Sequence, residues 1–378
     1  MTQLEGKHVL VAGLGKTGRA ATRFFLQQGA SVSVSESSPR NVLLPEFHAW
    51  LEKNSITCET GGHSTNLFTS VDLIFVSPGI PLNIKPLAEA KRLNIPVVGE
   101  LAVAAQFLRT PVIAVTGTNG KTTTTTLLGG IFRSTGKNVF VEKPVVVNEE
   151  QLNELIRLHH AAIHSFNHSI PLMVGTNRRF SPMVKKLKEE TGSGMPMQVN
   201  YRVNSGHIPT SSWLHNEEEG GGMLVGEMCH FIDVMVFLTN EKPVSVFARS
   251  LKNNNSSISD KDNVSITVEF SGGSAGTLNY STVGDKSFSK ERIEVFSSGK
   301  AAVLDDFRLL EISSNGRKKK IKARNQDKGQ AEQLKQTVDG FRKGISPIPF
   351  SDIINVMKVI FAAKRSLAEG QVVSVISN

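Results

Sequence analysis

Over residues 7–108, short apolar segments alternate with longer segments whose apolar positions recur at helical spacing. Residues 19–28 have this helical spacing, and Gly29 follows them as a residue that commonly ends a helix. A buried strand is predicted at 8–12, and further strands are predicted at 31–35, 72–76 and 96–98. An alternation of strands and helices is typical of a parallel sheet covered by helices.

The pattern changes near Pro144. Before it, a strand at 111–115, a loop at 116–121, a helix at 122–134 and a strand at 138–141 continue the alternation. After it, a helix is predicted at 149–160, and most later apolar positions alternate with polar ones, as in strands with one buried face. These strands are predicted at 198–203, 244–249, 264–270, 276–280, 292–296 and 301–304. Helices near 227–239, 329–343 and 351–368 are expected to cover one face of a mostly antiparallel sheet.

Composition limits the class of protein. A chain of 378 residues with 39% hydrophobic and 20% charged residues is typical of a soluble globular protein. Its two cysteines form neither a disulfide framework nor a zinc spacing, and no signal peptide or bilayer-length apolar run is present. A cytoplasmic protein without a membrane span is therefore expected.

The net charge of +9 permits partners that are nucleic acids or phosphorylated metabolites. The densest basic run, 317–322, follows the turn signal Asn315-Gly316, which favours the solvated arm of a hairpin over a polyanion site. No nucleic-acid-binding motif accompanies the run, so no nucleic acid partner is predicted.

The first candidate site is a glycine-rich turn between the first strand and the first helix. Gly13, Gly15 and Gly18 have the spacing at which a backbone approaches a phosphate at a helix N-terminus. Glu36 ends the second strand, where a ribose-binding carboxylate is expected. The motif by itself does not choose between a dinucleotide such as NAD or NADP and a UDP group. A turn without a ligand is the remaining alternative.

The second candidate site is a phosphate loop between a buried strand and a helix. Its backbone N–H groups are expected to surround phosphate oxygens, with Lys121 on the terminal phosphates of ATP and Thr122 on Mg²⁺. A glycine–lysine turn without a ligand is the alternative. The loop residues are Gly117, Thr118, Asn119, Gly120, Lys121, Thr122 and Thr123.

These motifs, with Ser77-Pro78-Gly79-Ile80-Pro81 and Gly99-Glu100-Leu101, make residues 4–142 similar to the N-terminal part of the Mur ligases, the cytoplasmic ligases of peptidoglycan synthesis. The resemblance implies that the first domain holds the UDP of a substrate and that the phosphate loop binds ATP. The family's later metal ligands and third domain do not follow Val141. The nucleotide-binding expectation falls on Gly13, Gly15, Lys16, Thr17, Gly18, Glu36, Ser37 and Gly79.

The remainder, from about residue 137, resembles the C-terminal domain of the Gfo/Idh/MocA oxidoreductases. The resemblance is carried by Glu142-Lys143-Pro144, by 174–182, by Gly220-Gly221-Gly222, by the segment from Glu227 to Asp233 and by 285–292. It implies that Lys143 holds a sugar hydroxyl and that His230 moves a proton beside NAD or NADP, with a cis peptide common before Pro144. Many members have an aspartate where this chain has Gly226, and on a helix Glu227 would point about 100° away. Substrate groups are assigned to Asn177, Arg178 and Arg179.

The predicted fold is an α/β N-terminal part with a Rossmann-like parallel sheet, followed by an α+β C-terminal domain with a large, mostly antiparallel sheet. Domains are expected at 1–108, 109–148 and 149–378. The favoured function is an NAD(P)-dependent oxidoreductase acting on a sugar or UDP-sugar, with Lys143, His230 and Glu227 as the catalytic set. The alternatives are a protein that binds UDP-N-acetylmuramoyl-alanine and ATP without completing ligation, and an inactive fusion. A homo-oligomer formed through the C-terminal sheet is plausible.

Overall fold

The computed structural model describes residues 4–39, 44–107, 138–166, 171–192, 194–209, 215, 221–252 and 262–375. The chain divides into two compact units, Met1–Ala114 and Val115–Asn378. Among the described residues, no helix is long and apolar enough to cross a membrane.

The first unit is built on a parallel sheet. Its described strands are β1 (His8–Ala12), β2 (Ser31–Glu36), β3 (Thr57–Thr60), β4 (Leu73–Val76) and β5 (Val97–Val98), in the order β3-β2-β1-β4-β5. The helices are α1 (Lys16–Gln27), α2 (Pro45–Lys53), α3 (Thr65–Thr69), α4 (Lys85–Arg92) and α5 (Glu100–Phe107). Each pair of neighbouring strands is parallel. The predicted Rossmann-like sheet is therefore confirmed.

Two apolar cores cover the two faces of this sheet, as a parallel sheet requires. Val9 and Val11 point into one core with Phe25 of α1, and Leu10 and Ala12 point into the other with Leu87 of α4. All four of these strand residues are fully buried. This explains why the first strand is a continuous apolar segment rather than an alternating one.

The second unit holds a nine-stranded sheet in the order β15-β14-β13-β12-β8-β11-β10-β9-β16 and a separate parallel pair, β6 with β7, within the described residues. Neighbours in the large sheet are antiparallel except β8 and β11. The strands are β6 (Val139–Val141), β7 (Leu172–Val174), β8 (Gln198–Asn204), β9 (Pro243–Ser250), β10 (Val264–Phe270), β11 (Ala275–Ser281), β12 (Glu291–Ser297), β13 (Lys300–Asp305), β14 (Leu309–Ser314), β15 (Arg317–Lys322) and β16 (Val373–Ser374). The predicted mostly antiparallel sheet is confirmed.

Helices pack on one face of the large sheet and share one apolar core with it. They are α6 (Glu149–Phe166), α7 (Pro182–Thr191), α8 (Gly222–Gly226), α9 (Cys229–Thr239), α10 (Gln330–Arg342) and α11 (Phe350–Glu369), with a 3₁₀ turn at Arg178–Phe180. The helix expected near 227–239 is interrupted, since α8 ends at Gly226 and α9 begins at Cys229. The basic run forms β15, an edge strand whose lysines lie in solvent, which discourages pairing with another sheet.

Candidate functional site

The glycine-rich turn of the first unit is closely packed. Gly13 has a φ of +86°, and its carbonyl accepts a hydrogen bond from Ser77 Oγ at 2.8 Å. A Cβ on Gly18 would lie 1.7 Å from the same Gly13 carbonyl oxygen, so only glycine fits there. Gly15 has open space around it and precedes α1 without a side-chain cap. The first backbone N–H groups of α1 thus remain available to an anion.

Glu36 is bound to this turn by its carboxylate. Oε2 accepts the Leu14 N–H at 2.7 Å, and Oε1 accepts the Ser38 N–H at 2.9 Å. Burial opposes the charge, but the hydrogen bonds from Ser38 and Leu14 outweigh it and lower the pKa of Glu36. The carboxylate is therefore negative at neutral pH and lies beside the glycine-rich turn.

The predicted nucleotide residues of this unit meet at one edge of the sheet. The turn 13–18 follows β1, Glu36 ends β2 with Ser37 directly after it, and Gly79 follows β4. These three strands are neighbours, and their carboxyl ends point the same way. Lys16, Ser37 and Gly79 are exposed, and Thr17 is partly exposed. Ligands commonly bind at this edge of open α/β sheets, but which nucleotide binds here stays a prediction.

The phosphate loop lies outside the described residues. This holds for Gly117, Thr118, Asn119, Gly120, Lys121, Thr122 and Thr123, and for the Mg²⁺ role of Thr122. The expectation that this loop binds ATP stays a prediction.

In the second unit, Lys143 follows β6 and is bound to the segment between α8 and α9. The Lys143–Pro144 peptide is cis. Lys143 Nζ donates to the Gly226 carbonyl at 2.7 Å and forms an ion pair with the carboxylate of Glu227. Both side chains are largely buried, at 17% and 23% exposed. An ammonium has three N–H donors, so one is left for a substrate oxygen.

Glu227 can reach Lys143 because the helix is broken at this point. Glu227 follows the end of α8 with a φ of −120°, far from the roughly −63° of a regular helix, and α9 begins only at Cys229. The expectation that Glu227 would point about 100° away assumed a continuous helix. The break corrects that expectation, and the carboxylate lies against the ammonium.

His230 lies in the first turn of α9 and is 7% exposed. Its backbone N–H donates to the Glu227 carbonyl at 3.2 Å, which links it to the segment that holds Lys143. Burial, followed by the positive charges of Arg178 and Lys143, lowers the pKa of His230 well below its usual value. The ring is therefore neutral at pH 7. Its buried Nδ1 has no hydrogen-bond partner among the described residues.

The two arginines expected to bind substrate are held by carboxylates of the protein. Arg178 donates to Glu291 at 2.8 and 3.0 Å, and Arg179 pairs with Asp233 at 2.7 Å and with Asp352 at 3.0 Å. Both arginine side chains are less than one tenth exposed. These contacts favour a structural role for the pair, and substrate binding by them stays a prediction.

Asn177, the third residue assigned to the substrate, donates from Nδ2 to the Lys328 carbonyl at 2.7 Å. Lys328 Nζ in turn donates to Glu291 at 2.7 Å, and so does the Tyr201 hydroxyl. The sequence reasoning assigned no role to Glu291 or Lys328. Glu291 belongs to the quoted segment 285–292, but nothing local to that segment indicates a partner 113 residues away.

A cavity of about 20 Å³ lies under Lys143, lined by apolar groups of Val145, Val174 and Ile353, among others. It holds roughly one water molecule. The thiol of Cys229 borders it, and burial raises the pKa of Cys229 to about 12, so the thiol stays protonated. The stem of Lys143 thus lies against a mainly apolar surface, and its ammonium pairs with Glu227.

Comparisons with known proteins match the first unit and the start of the second to one family and the rest of the second unit to another. Residues 7–99 match the MurD-like N-terminal domain of Mur ligases, and residues 115–173 match the Mur ligase middle domain. The middle-domain match continues past Val141, where the resemblance was expected to end. Residues 183–302 match the GFO/IDH/MocA C-terminal domain.

Relatives that match in sequence cover the N-terminal part. The UDP-N-acetylmuramoylalanine–D-glutamate ligase of Koribacter versatilis is 49% identical over 138 residues, which is 36% of this chain and 30% of the ligase. The corresponding ligase of Syntrophotalea carbinolica is 45% identical over 141 residues, 37% of this chain and 31% of its own. The chain thus spans about 30% of the length of these relatives.

Solved structures that match in fold cover nearly the whole chain. An oxidoreductase from Agrobacterium radiobacter, in complex with NAD⁺, L-tartaric acid and magnesium, has a TM-score of 0.56 at 15% identity and covers 98% of both chains. UDP-N-acetylglucosamine 3-dehydrogenase GnnA from Acidithiobacillus ferrooxidans has a TM-score of 0.53 at 16% identity and covers 96% of this chain and 98% of its own. The chain therefore combines an N-terminal part similar to the Mur ligases with a C-terminal domain similar to that of the GFO/IDH/MocA oxidoreductases.

Proposed function

We propose that the chain is an NAD(P)-dependent oxidoreductase that acts on a hydroxyl of a sugar or nucleotide sugar. The observation that carries the proposal is that the second unit holds two side chains suited to the two parts of this reaction. Lys143 has a charged ammonium held by Glu227 and the Gly226 carbonyl, and His230 is a buried imidazole with an unpartnered Nδ1. One is suited to holding a hydroxyl, and the other to taking its proton.

Oxidation of an alcohol removes a hydride from the carbon and a proton from the hydroxyl. In the proposed reaction the third N–H of Lys143 donates to the substrate oxygen and stabilises the negative charge that develops there. His230 is neutral at pH 7 because its pKa is lowered, so it accepts the hydroxyl proton. Glu227 acts through Lys143: it holds the ammonium in position. The bound nicotinamide supplies the hydride acceptor.

The first unit has features that fit a dinucleotide. Gly15 leaves open space beside the N–H groups of Lys16 and Thr17, where a pyrophosphate would bind. Glu36 lies at the end of β2, where its negative carboxylate would accept hydrogen bonds from the hydroxyls of a ribose. Because a 2′-phosphate would be repelled there, we propose that NAD is preferred to NADP.

Thermal-shift titration of the full chain with NAD⁺, NADH, NADP⁺ and NADPH tests the proposal. A ligand that binds the native state at a hundred times its Kd stabilises it by about 2.7 kcal/mol, which raises the Tm. Oxidation of candidate sugars is then followed by the absorbance of reduced nicotinamide. The proposal fails if none of the four dinucleotides shifts the Tm at millimolar concentration.

A second candidate rests on the 43–49% identity of the N-terminal part to D-glutamate ligases. In that case the chain binds UDP-N-acetylmuramoyl-alanine and ATP with Mg²⁺. The same titration with UDP, ATP and the UDP-linked substrate distinguishes it from the first proposal. Glutamate-dependent release of ADP would show that ligation is complete as well. An inactive fusion would respond to neither set of ligands.

The proposal places the protein in the cytoplasm, where both ligand sets occur.

A homo-oligomer formed through the open face of the large sheet is a further proposal, and the mass of the protein in solution tests it. That face carries mainly polar side chains, among them Thr267, Asn279 and Arg292.

A further inference from the structure

The surroundings of His230 carry more positive than negative charge. Four cationic side chains act on its ring: Arg178, Lys143, Lys328 and Lys290. Three carboxyl groups lie near these cations: Glu227, Glu291 and Asp306, the last of which interacts with Lys328 and Glu291. The second unit thus gathers four cations and three carboxyl groups around a buried imidazole.

The hydrogen bonds show which cations are neutralised. Lys143 forms an ion pair with Glu227, whereas Arg178 and Lys328 both pair with the carboxylate of Glu291. The ammonium of Lys290 has no hydrogen-bond or ion-pair partner within the part of the chain that the structure describes. Lys290 directly precedes Glu291; the residue as a whole is exposed, but its ammonium is partly withdrawn from water beside the cluster.

The electrostatic consequences agree with this inventory. Burial and then the charge of Lys328 lower the pKa of Lys290, and burial with the same group of cations lowers the pKa of His230. Neighbouring positive charges therefore add to the effect of burial on both groups. An uncompensated cation beside a buried site is costly unless an anion neutralises it.

We propose that the substrate of this site carries a negative charge, a carboxylate or a phosphate, and that Lys290 binds it. This inference rests on the proposed function and names the class of its substrate. The anion would lie between Lys290 and Lys328, and the reacting hydroxyl between Lys143 and His230. Lys290 thus takes the role that the sequence assigned to Arg178 and Arg179, whose guanidinium groups are held by protein carboxylates.

Isothermal titration of the full chain with three probes tests this assignment: D-glucose, D-glucuronate and D-glucose 6-phosphate. D-glucuronate tests the carboxylate and D-glucose 6-phosphate the phosphate, and D-glucose is the uncharged reference. The wild type should bind at least one of the charged probes more tightly than D-glucose. Lys290→Gln should weaken the binding of that probe about tenfold or more, because a charge-assisted hydrogen bond is lost. Lys290→Arg should restore the binding.

Lys318→Gln is the matched control, since it removes the same charge from the exposed edge strand β15. It should leave the affinity of every probe unchanged. The assignment is wrong if the wild type does not prefer a charged probe, or if Lys290→Gln and Lys318→Gln bind it equally well.

Titration with NAD⁺ separates the substrate from the cofactor. The affinity for NAD⁺ should be the same in the wild type and in Lys290→Gln. If Lys290→Gln weakens NAD⁺ instead, the anion bound by Lys290 is the cofactor's pyrophosphate and the assignment to the substrate is overturned. Absence of any NAD⁺ binding would contradict the proposed function and leave the anion measurement standing.

Discussion

The carboxylate of Glu291 and the guanidinium of Arg178 form a doubly bonded ion pair inside the second unit, with N–O distances of 2.8 and 3.0 Å. Lys328 and the Tyr201 hydroxyl donate to the same carboxylate, each at 2.7 Å. Burial alone would raise the pKa of Glu291, but the charges of Arg178 and Lys328 lower it to about 2. Glu291 therefore joins the 3₁₀ turn, β8 and the segment before α10.

Glu291→Gln should destabilise the protein by about 3–5 kcal/mol, because two buried cations lose the carboxylate that neutralises them. The free energy of unfolding in urea measures the effect. Glu294→Gln is the control on the same strand, where the carboxylate pairs with the exposed Arg292 and should contribute less than about 1 kcal/mol. Equal losses in the two variants would show that the Glu291 cluster does not stabilise the unit.

The buried, neutral His230 should make the protein less stable in mild acid. Its pKa is lowered in the folded state, so the unfolded chain takes up a proton first as the pH falls below the usual value of 6.5. Its contribution is thus fully present above that pH and is lost below it, by up to about 1.4 kcal/mol per pH unit.

Urea unfolding of the wild type and of His230→Gln, compared between about pH 7.5 and 5.5, isolates the contribution of His230 to the pH dependence of the free energy of unfolding. The wild type should lose more stability than the variant over this range. His160→Gln, at an exposed position on α6, is the control and should follow the wild type. A variant that is as sensitive to pH as the wild type would mean that His230 is not held neutral.

Lys143→Ala should lower the turnover of a sugar substrate by at least about 10²-fold while leaving the Kd for NAD⁺ nearly unchanged, since the ammonium acts on the reacting hydroxyl. Lys121→Ala should have the opposite profile, with no effect on dehydrogenase turnover and loss of ATP binding. Steady-state kinetics with parallel binding titrations gives both numbers. Intact turnover in Lys143→Ala, or abolished turnover in Lys121→Ala, would place the chemistry elsewhere.

Gly18→Ala should destabilise the first unit by about 1–3 kcal/mol or more, because its methyl group would lie 1.7 Å from the Gly13 carbonyl oxygen. Gly15→Ala places the same methyl group three residues away in open space and should cost little, with a φ of −58° that alanine adopts readily. The Tm of each variant gives the comparison. If the two variants melt together, the close approach of α1 to the turn is absent.

Glu36 should set the choice of dinucleotide. The Kd for NAD⁺ should be lower than the Kd for NADP⁺ by a factor of about ten or more, since the negative carboxylate at the end of β2 repels a 2′-phosphate. Glu36→Ser should narrow that ratio, whereas Ser37→Ala, on the neighbouring residue, should preserve it. An equal affinity of the wild type for the two dinucleotides would contradict this role of Glu36.

Local sequence pattern was sufficient for most strands of the sheets, but it missed Thr57–Thr60, Leu172–Val174 and Val373–Ser374. The continuous apolar segment at 8–12 predicted a strand buried on both faces, and alternation at 264–270 predicted a strand with one buried face. These periods arise from the geometry of a single strand. The cis Lys143–Pro144 peptide was expected from the family resemblance. The meeting of the turn 13–18 with Glu36 followed from a motif whose spacing is set by one parallel strand pair.

Only the tertiary structure decided which charged groups neutralise each other. The apolar pattern around Glu227 predicted one helix, but the ion pair with Lys143, 84 residues away in the chain, coincides with a break there. Arg178 was expected to bind a ligand. Its carboxylate partner is Glu291, which lies 113 residues later in the chain. The sequence shows which residues are charged, but burial and long-range packing determine which of them form ion pairs. The energy of an ion pair depends on the distance between the charges and on their desolvation. Neither can be read from the local pattern of apolar and polar residues.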